Sequence, residues 1–123
     1  MEKNANMALV RASSNDPTLK HVFIENETPE TAEYYAKVLS SLADIISNTV
    51  TSIETFVVAG VPLTSSTWKS LAQFVQNRKS LTRFEVTGVD ADPSELTHDF
   101  SCIMSDSSIP YTYIGPDGIL IKF

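Results

Sequence analysis

The sequence predicts an α/β fold: a short right-handed β/α solenoid with about four parallel strands on one face, helices on the other and a C-terminal hairpin as a cap. Three observations predict it: a repeated spacing, strand-like alternation at the start of each unit, and a helical apolar stripe after it. Similar six-residue segments begin at Ile53, Leu81 and Ile109, which are 28 residues apart, and a fourth begins at Leu19, 34 residues before Ile53. Self-similarity at a fixed period of this length is typical of stacked-repeat proteins.

Each unit is predicted to begin with a short strand. Positions 1, 4 and 6 are apolar, as in Ile53, Phe56 and Val58, and Thr112 is the one polar substitution in the last unit. Position 8 holds a residue type that ends or turns strands, namely Asn26, Gly60, Gly88 and Pro116. Positions 4 and 6 share one strand face, whereas positions 3, 5 and 7 point the other way. We therefore expect a buried 4/6 face and an exposed odd-numbered face.

A helix is predicted after each strand, because apolar residues follow at helical spacing. In the second unit the stripe is Trp68, Leu71, Ala72 and Val75, and in the third it is Leu96, Phe100, Ile103 and Met104. The order Asp92-Pro93-Ser94-Glu95 has the form of a capping box with a first-turn proline. Ser65 or Ser66 is the predicted cap of the second-unit helix. The segment from about Glu2 to Ala12 is predicted to be the helix of a preceding half unit.

The chain is predicted to form a single domain that ends in a hairpin. Its predicted parts are an N-terminal helix and link (1–18), three repeats (19–52, 53–80 and 81–108) and a terminal strand and hairpin (109–123). The turn residues Gly115-Pro116-Asp117-Gly118 separate two strand-like runs. Pairing Ile114 with Ile119 places alternate residues of the last run on the core side. We expect this last strand to run antiparallel and to close the edge of the sheet.

The units resemble the leucine-rich repeat, specifically its ribonuclease-inhibitor-like class, whose units have a similar length. The resemblance rests on Leu81-x-x-Phe84-x-Val86, on Ile53-x-x-Phe56-x-Val58 with Leu63 at position 11, and on the link from Asn77 to Leu81; it covers nearly the whole chain. It implies a leucine-rich-repeat-like domain related to the longer arrays of actin-capping proteins and ribonuclease inhibitors. A generic α/β layer with a different strand order is the alternative.

Composition and charge limit the classes of function that the chain could have. The chain is 42% hydrophobic and 20% charged, which is typical of a globular rather than a disordered protein. Its formal net charge of -6 argues against a nucleic-acid or anionic-membrane surface, where basic residues cluster. The single cysteine, Cys102, allows no internal disulfide, and the start of the chain has no signal-peptide pattern. The longest apolar stretch, from Phe56 to Leu63, is too short to span a bilayer. We expect an intracellular, cytoplasmic protein.

No catalytic residue, cofactor or metal ligand is predicted. His98 and Cys102 are four residues apart on a helix, the minimum for a thiolate–imidazole pair, but no orienting third group is evident, and burial of Cys102 as a small apolar residue is favoured. An acidic cluster that could hold Ca²⁺ lacks the glycine and alternating ligands of an EF-hand loop, and helix capping explains part of it; its members are Asp90, Asp92, Glu95 and Asp99.

The exposed sheet face carries the residues that we expect to bind a partner. In repeat proteins of this shape the open strand face is the usual binding surface, and aromatic residues and arginine dominate interface energetics. The predicted partner-binding residues are His21, Phe23, Glu25, Thr55, Val57, Arg83, Glu85, Tyr111 and Tyr113. The alternative is that Arg83 and Glu85 form only a solvated ion pair, and that the aromatics only stabilise the strands.

The sequence therefore predicts a non-enzymatic protein–protein interaction module that binds another protein, whose identity the sequence leaves open, through this face. The alternative is a structural or assembly subunit, or an actin-regulator-like repeat protein, that contacts partners or itself through its ends. In that case a homodimer would form through the terminal helix or the terminal strand. A Cys102-dependent enzyme is the third and least favoured hypothesis.

Overall fold

The structure, a computed structural model, describes residues 2–49 and 51–123. Met1 and Val50, which fall within the predicted parts 1–18 and 19–52, lie outside the described residues. The elements in chain order are α1 (Glu2–Ser13), β1 (His21–Glu25), a 3-10 turn (Pro29–Thr31), α2 (Ala32–Ser47), β2 (Thr55–Ala59), α3 (Ser65–Gln76), β3 (Arg83–Thr87), α4 (Pro93–Asp99), α5 (Ser101–Met104), β4 (Tyr111–Gly115) and β5 (Gly118–Lys122).

All five strands form one mixed sheet in the order β1-β2-β3-β5-β4. β1, β2 and β3 are parallel neighbours, and their register follows the repeat spacing, since His21 pairs with Thr55 and Thr55 with Arg83. β5 runs antiparallel to both of its neighbours, and its Lys122 pairs with Arg83 on one side and Tyr111 on the other. The repeat therefore describes the parallel part of the sheet but not its last two strands.

The predicted solenoid is wrong. The strand of the fourth unit, β4, does not stack on β3, because β5 lies between them. Ile119 and Ile121 of β5 are fully buried, whereas Thr112 and Ile114 of β4 are only half-buried. The strand with two isoleucines on its inner face therefore takes the inner place, where more apolar surface leaves water. The competing expectation, an α/β layer with another strand order, describes this sheet.

The hairpin itself forms in the predicted register, with Ile114 opposite Ile119. The prediction that the last strand closes the edge of the sheet is wrong, since the edge strand is β4. Gly118 explains how β5 reaches its place. Its φ is +138°, and a Cβ at this position would meet the backbone carbonyl of Val86 on β3. Only glycine allows this close approach.

The core lies between the sheet and a layer of helices that pack side by side from α1 to α4. Inward-facing residues of the parallel strands are buried, as the 4/6 pattern predicts; they are Val22, Ile24, Phe56, Val58, Phe84 and Val86. Phenylalanines from both layers meet at the centre. The rings of Phe56 and Phe84 stack 5.4 Å apart, Phe74 lies 5.5 Å from Phe56, and Phe100 lies 5.7 Å from Phe84. The opposite face of the sheet has no such layer among the described residues.

The helices begin at capping residues, but the cap of α3 differs from the predicted one and the third-unit helix is interrupted. Asp92 caps α4 as predicted, because its carboxylate accepts the backbone N–H of Ser94 at 2.9 Å. Thr64, rather than Ser65 or Ser66, caps α3. The third-unit helix is interrupted at Phe100, which separates α4 from α5. Met104, which the sequence assigns to the buried stripe, is 46% exposed.

Candidate functional site: the open sheet face

The open face consists of side chains that alternate with the core residues along each strand. Strand pairing arranges them in rows that cross the sheet from β1 through β2, β3 and β5 to β4. The first row is His21, Thr55, Arg83, Lys122 and Tyr111. The middle row is Phe23, Val57, Glu85, Leu120 and Tyr113. The third row is Glu25, Ala59, Thr87, Gly118 and Gly115, which ends in the two hairpin glycines.

All nine sequence-predicted residues lie on this face, but they are not one patch. Leu120 and Lys122 of β5 come between the β3 residues and the tyrosines of β4. Sequence reasoning missed these two residues as part of the surface. The signal was present, since placing Ile119 and Ile121 on the core side points Leu120 and Lys122 outward. What was missing was the position of the strand within the sheet.

The tyrosine side of the face combines cations with aromatic rings. Lys122 Nζ lies 5.7 Å from the centre of the Tyr111 ring, within the range of a cation–π contact. Beside it, Arg83 Nη2 donates to Glu85 Oε1 at 2.6 Å, a short charge-assisted hydrogen bond. The Glu85 side chain is only 19% exposed, whereas Arg83 is 47% exposed. Arg83 therefore remains accessible while its charge is partly matched within its own strand.

The β1 side of the face is held by a different set of contacts. The rings of His21 and Phe23 are stacked with centroids 6.4 Å apart, and His21 Nδ1 shares a hydrogen bond with Thr55 Oγ1 at 3.1 Å. Phe23 remains 57% exposed. A salt bridge of 3.2 Å between Lys20 and Glu54 marks the amino end of the same two strands. This side is thus aromatic and ordered, with its largest apolar side chain in solvent.

Cys102 is exposed, so the prediction of a buried cysteine is wrong. The physical reason is helical geometry: the neighbouring Ile103 faces the core, as the apolar stripe predicts, and Cys102 lies about 100° away from it around the helix. Within the described part of the chain, the cysteine sulfur takes a weak hydrogen bond from Gln76 Nε2 at 4.0 Å and none from His98. The arrangement does not assemble a nucleophile with a base.

Two members of the acidic cluster near α4 make structural contacts. Asp92 caps α4, and Asp99 is nearly buried, with its Oδ1 3.7 Å from Lys69 Nζ. Among residues 2–49 and 51–123, no group of three or more histidine, cysteine, aspartate or glutamate side chains is placed to hold a metal ion. The sheet face is therefore the best-supported candidate site.

Within the described ranges, no helix has both the length and the apolar character needed to cross a membrane. Comparison with protein-family models, with curated proteins and with solved structures finds no match for this chain. The resemblance to leucine-rich repeats, which these comparisons do not test, stays a prediction.

Proposed function

We propose that this chain is a non-enzymatic protein-interaction module that binds another protein through the open sheet face. The observation that carries the proposal is the exposure of three aromatic side chains on this one face: Phe23 is 57% exposed, and Tyr111 and Tyr113 are each 47% exposed. Large aromatics in solvent are costly to keep and are the residues that most often anchor interfaces.

The tyrosine side is the favoured centre of binding. Tyr111 and Tyr113 stand in adjacent rows beside Lys122 and Leu120, and Arg83 completes the group across β5. Tyrosine and arginine provide apolar area together with hydrogen-bond donors, a combination typical of hot spots. Because Arg83 and Lys122 outnumber Glu85 at this side, we expect the partner to present at least one carboxylate to this group.

The proposal is tested by Arg83→Glu combined with Tyr113→Ala. This double variant reverses a central charge and removes an aromatic anchor, both on exposed positions, so the circular dichroism spectrum should stay unchanged. Affinity capture followed by mass spectrometry should recover a partner with the unaltered chain and lose it, by roughly tenfold or more, with the double variant.

Met104→Ala is the matched control, because Met104 is 46% exposed on α5 in the helix layer, nearly the same as Tyr113. It should retain the partner in full. Binding that survives the double variant would contradict the proposal, and so would loss of the partner in the Met104 control.

The proposal also covers the cellular compartment and the way in which the chain could form a homodimer. We place the module in the cytoplasm, supported by a single exposed cysteine that has no internal disulfide partner. The alternative stays a homodimer through the terminal helix or the terminal strand; β5 itself has β3 and β4 on its two sides, which favours the helix route.

A further inference from the structure

Backbone groups of β1 line an edge of the sheet. Lys20 O accepts the N–H of Thr55 at 3.0 Å, and Asn26 N–H donates to Ala59 O at 2.9 Å. These bonds assign the even-numbered residues of this strand to the ladder with β2. Alternate residues of a parallel ladder turn both backbone groups toward one neighbour, so the N–H and C=O groups of His21, Phe23 and Glu25 point away from β2. Such an edge is a template for another strand.

A recess of mixed polar and apolar lining lies beside this edge. A cavity of about 250 Å³ opens between α1 and β1, lined by Met7, Ala8, Arg11, Leu19, His21, Val22 and Phe23. Met7 and Val10 of α1 are 51% and 66% exposed, and Phe23 is 57% exposed. β1 contains no proline, lysine or glycine, and its one acidic residue, Glu25, stands at its end. The structure thus combines unprotected backbone with exposed apolar side chains at one place.

We infer that two copies of this chain pair through β1, antiparallel and centred on Phe23, so that the two sheets become one. The inference goes beyond binding through the open face and does not depend on it. A two-fold axis perpendicular to the sheet keeps both helix layers on the same side, so the two α1 helices flank the new pair. Such an interface is closed and isologous, the commonest arrangement of soluble homodimers.

The sequence of β1 is what selects a second copy as the occupant. With Phe23 opposite Phe23 of the second copy, His21 lies opposite its Glu25, and Glu25 opposite its His21. These are the residues whose backbone groups point outward, so each of the three pairs can exchange both N–H···O bonds. The register therefore satisfies the backbone and also places an imidazole beside a carboxylate in two symmetric pairs.

Other symmetric registers lose this match. Centring the pair on Glu25 opposes two carboxylates, and centring it on His21 opposes two histidines, so like groups meet across the ladder. A five-residue strand pair with its flanking side chains is small by interface standards. We therefore expect a weak dimer whose population rises with protein concentration.

The experiment is sedimentation equilibrium on the purified full chain, from about 1 µM to about 1 mM, with no other protein present. The apparent mass should rise from the monomer value of 13.5 kDa toward twice that value. His21→Glu should weaken the dimer roughly tenfold, since it opposes two carboxylates in each symmetric pair. The double variant His21→Glu with Glu25→Lys places opposite charges in each pair and should restore association.

Phe23→Lys and Tyr113→Lys form a matched pair, because both residues are exposed aromatics of the middle row at opposite edges of the sheet. Phe23→Lys should abolish the dimer and Tyr113→Lys should leave it intact. Amide hydrogen exchange gives a second readout that does not depend on variants: the N–H groups of His21, Phe23 and Glu25 should gain protection as concentration rises.

A chain that stays at the monomer mass throughout the range would overturn the inference. So would a dimer that Tyr113→Lys, but not Phe23→Lys, dissociates, or one that the charge exchange fails to restore. None of these results bears on partner capture through the tyrosine side, because the measurement uses the chain alone. Failure of the dimer and failure of the proposed function can therefore be told apart.

Discussion

The two edge strands, β1 and β4, are each preceded by an aspartate turn of the same form, but they differ in burial and in the residues at their ends. Before β1, Asp16 Oδ1 accepts the backbone N–H of Thr18 at 2.8 Å and its hydroxyl at 2.7 Å. Before β4, Asp106 Oδ1 accepts the backbone N–H of Ser108 at 2.9 Å and its hydroxyl at 2.6 Å. These local turns are interchangeable in form. Local chemistry therefore fixes how each edge strand starts, but not which neighbour it pairs with.

The difference lies in what each strand presents inward and at its ends. Val22 and Ile24 of β1 are almost completely buried, so this edge belongs to the core. The inward residues of β4 are half-buried, and Pro110 and Pro116 bracket the strand. Proline beside a short strand discourages further pairing. One edge is thus well packed and has no proline beside it to limit pairing, and the other is thinly packed and bracketed by prolines.

Breaking the hairpin should have the largest effect. Gly118→Ala places a Cβ against the Val86 carbonyl at a φ of +138°, so strain adds to a backbone clash on β3. We expect it to lower the free energy of unfolding by about 4 kcal/mol, measured by urea denaturation.

Gly115→Ala is the control from the other side of the same turn. A Cβ there meets the hydroxyl end of the Tyr113 side chain, which is exposed and can rotate away. We expect a loss under about 1 kcal/mol. Equal losses in the two variants would mean that the hairpin does not depend on the close approach of Gly118 to β3.

The sequence predicted the parallel part of the sheet because the same pattern recurs there with every inward position apolar. The spacing from Phe56 to Phe84 is also the register of β2 against β3. Alternation reports which face of a strand is buried, but it does not report which strand lies next to it. Thr112 at an inward position was the sign that the fourth unit differs, since a strand buried on that face seldom carries a hydroxyl there.

The sequence could predict which residues of each strand face outward, but not which strands lie next to each other on the exposed face. Placing Arg83 on it required only the period of two along β3. Placing Lys122 on it required the strand order, which depends on the competition between β4 and β5 for the inner position. Cys102 shows a second limit: its residue type favoured burial, but its place on the helix beside the buried Ile103 leaves it exposed.

A matched pair of isoleucines measures the packing difference between the two edges. Ile24 and Ile114 are both the fourth residue of a five-residue edge strand and both face inward. Ile24 is 3% exposed, whereas Ile114 is half-buried. Ile24→Ala should cost about 3 kcal/mol of unfolding free energy and Ile114→Ala about half of that, by urea denaturation. A larger loss at Ile114 would reverse the assignment of the well-packed edge.

The smallest effect concerns the two aspartate turns and appears only in acid. Hydrogen bonds from the Thr18 hydroxyl and backbone N–H, together with Arg11, lower the pKa of Asp16 to about 2. The same contacts from Ser108, with Arg78 farther away at 3.7 Å, lower the pKa of Asp106. A carboxylate whose pKa is depressed by folding stabilises the fold above its ordinary value, and that stability disappears as the pH falls through the folded pKa.

Asp16→Asn should therefore be less stable than the unaltered chain near neutral pH, and the difference should vanish between about pH 4 and about pH 2. Thermal unfolding followed across that range measures it. Asp106→Asn should show a difference of the same sign, with a smaller contribution from its more distant arginine. If the difference for Asp16 instead grew as the pH fell, the turn before β1 would not be held by an ionised carboxylate. The two aspartate turns would then share a backbone conformation but not the stabilising effect of an ionised carboxylate.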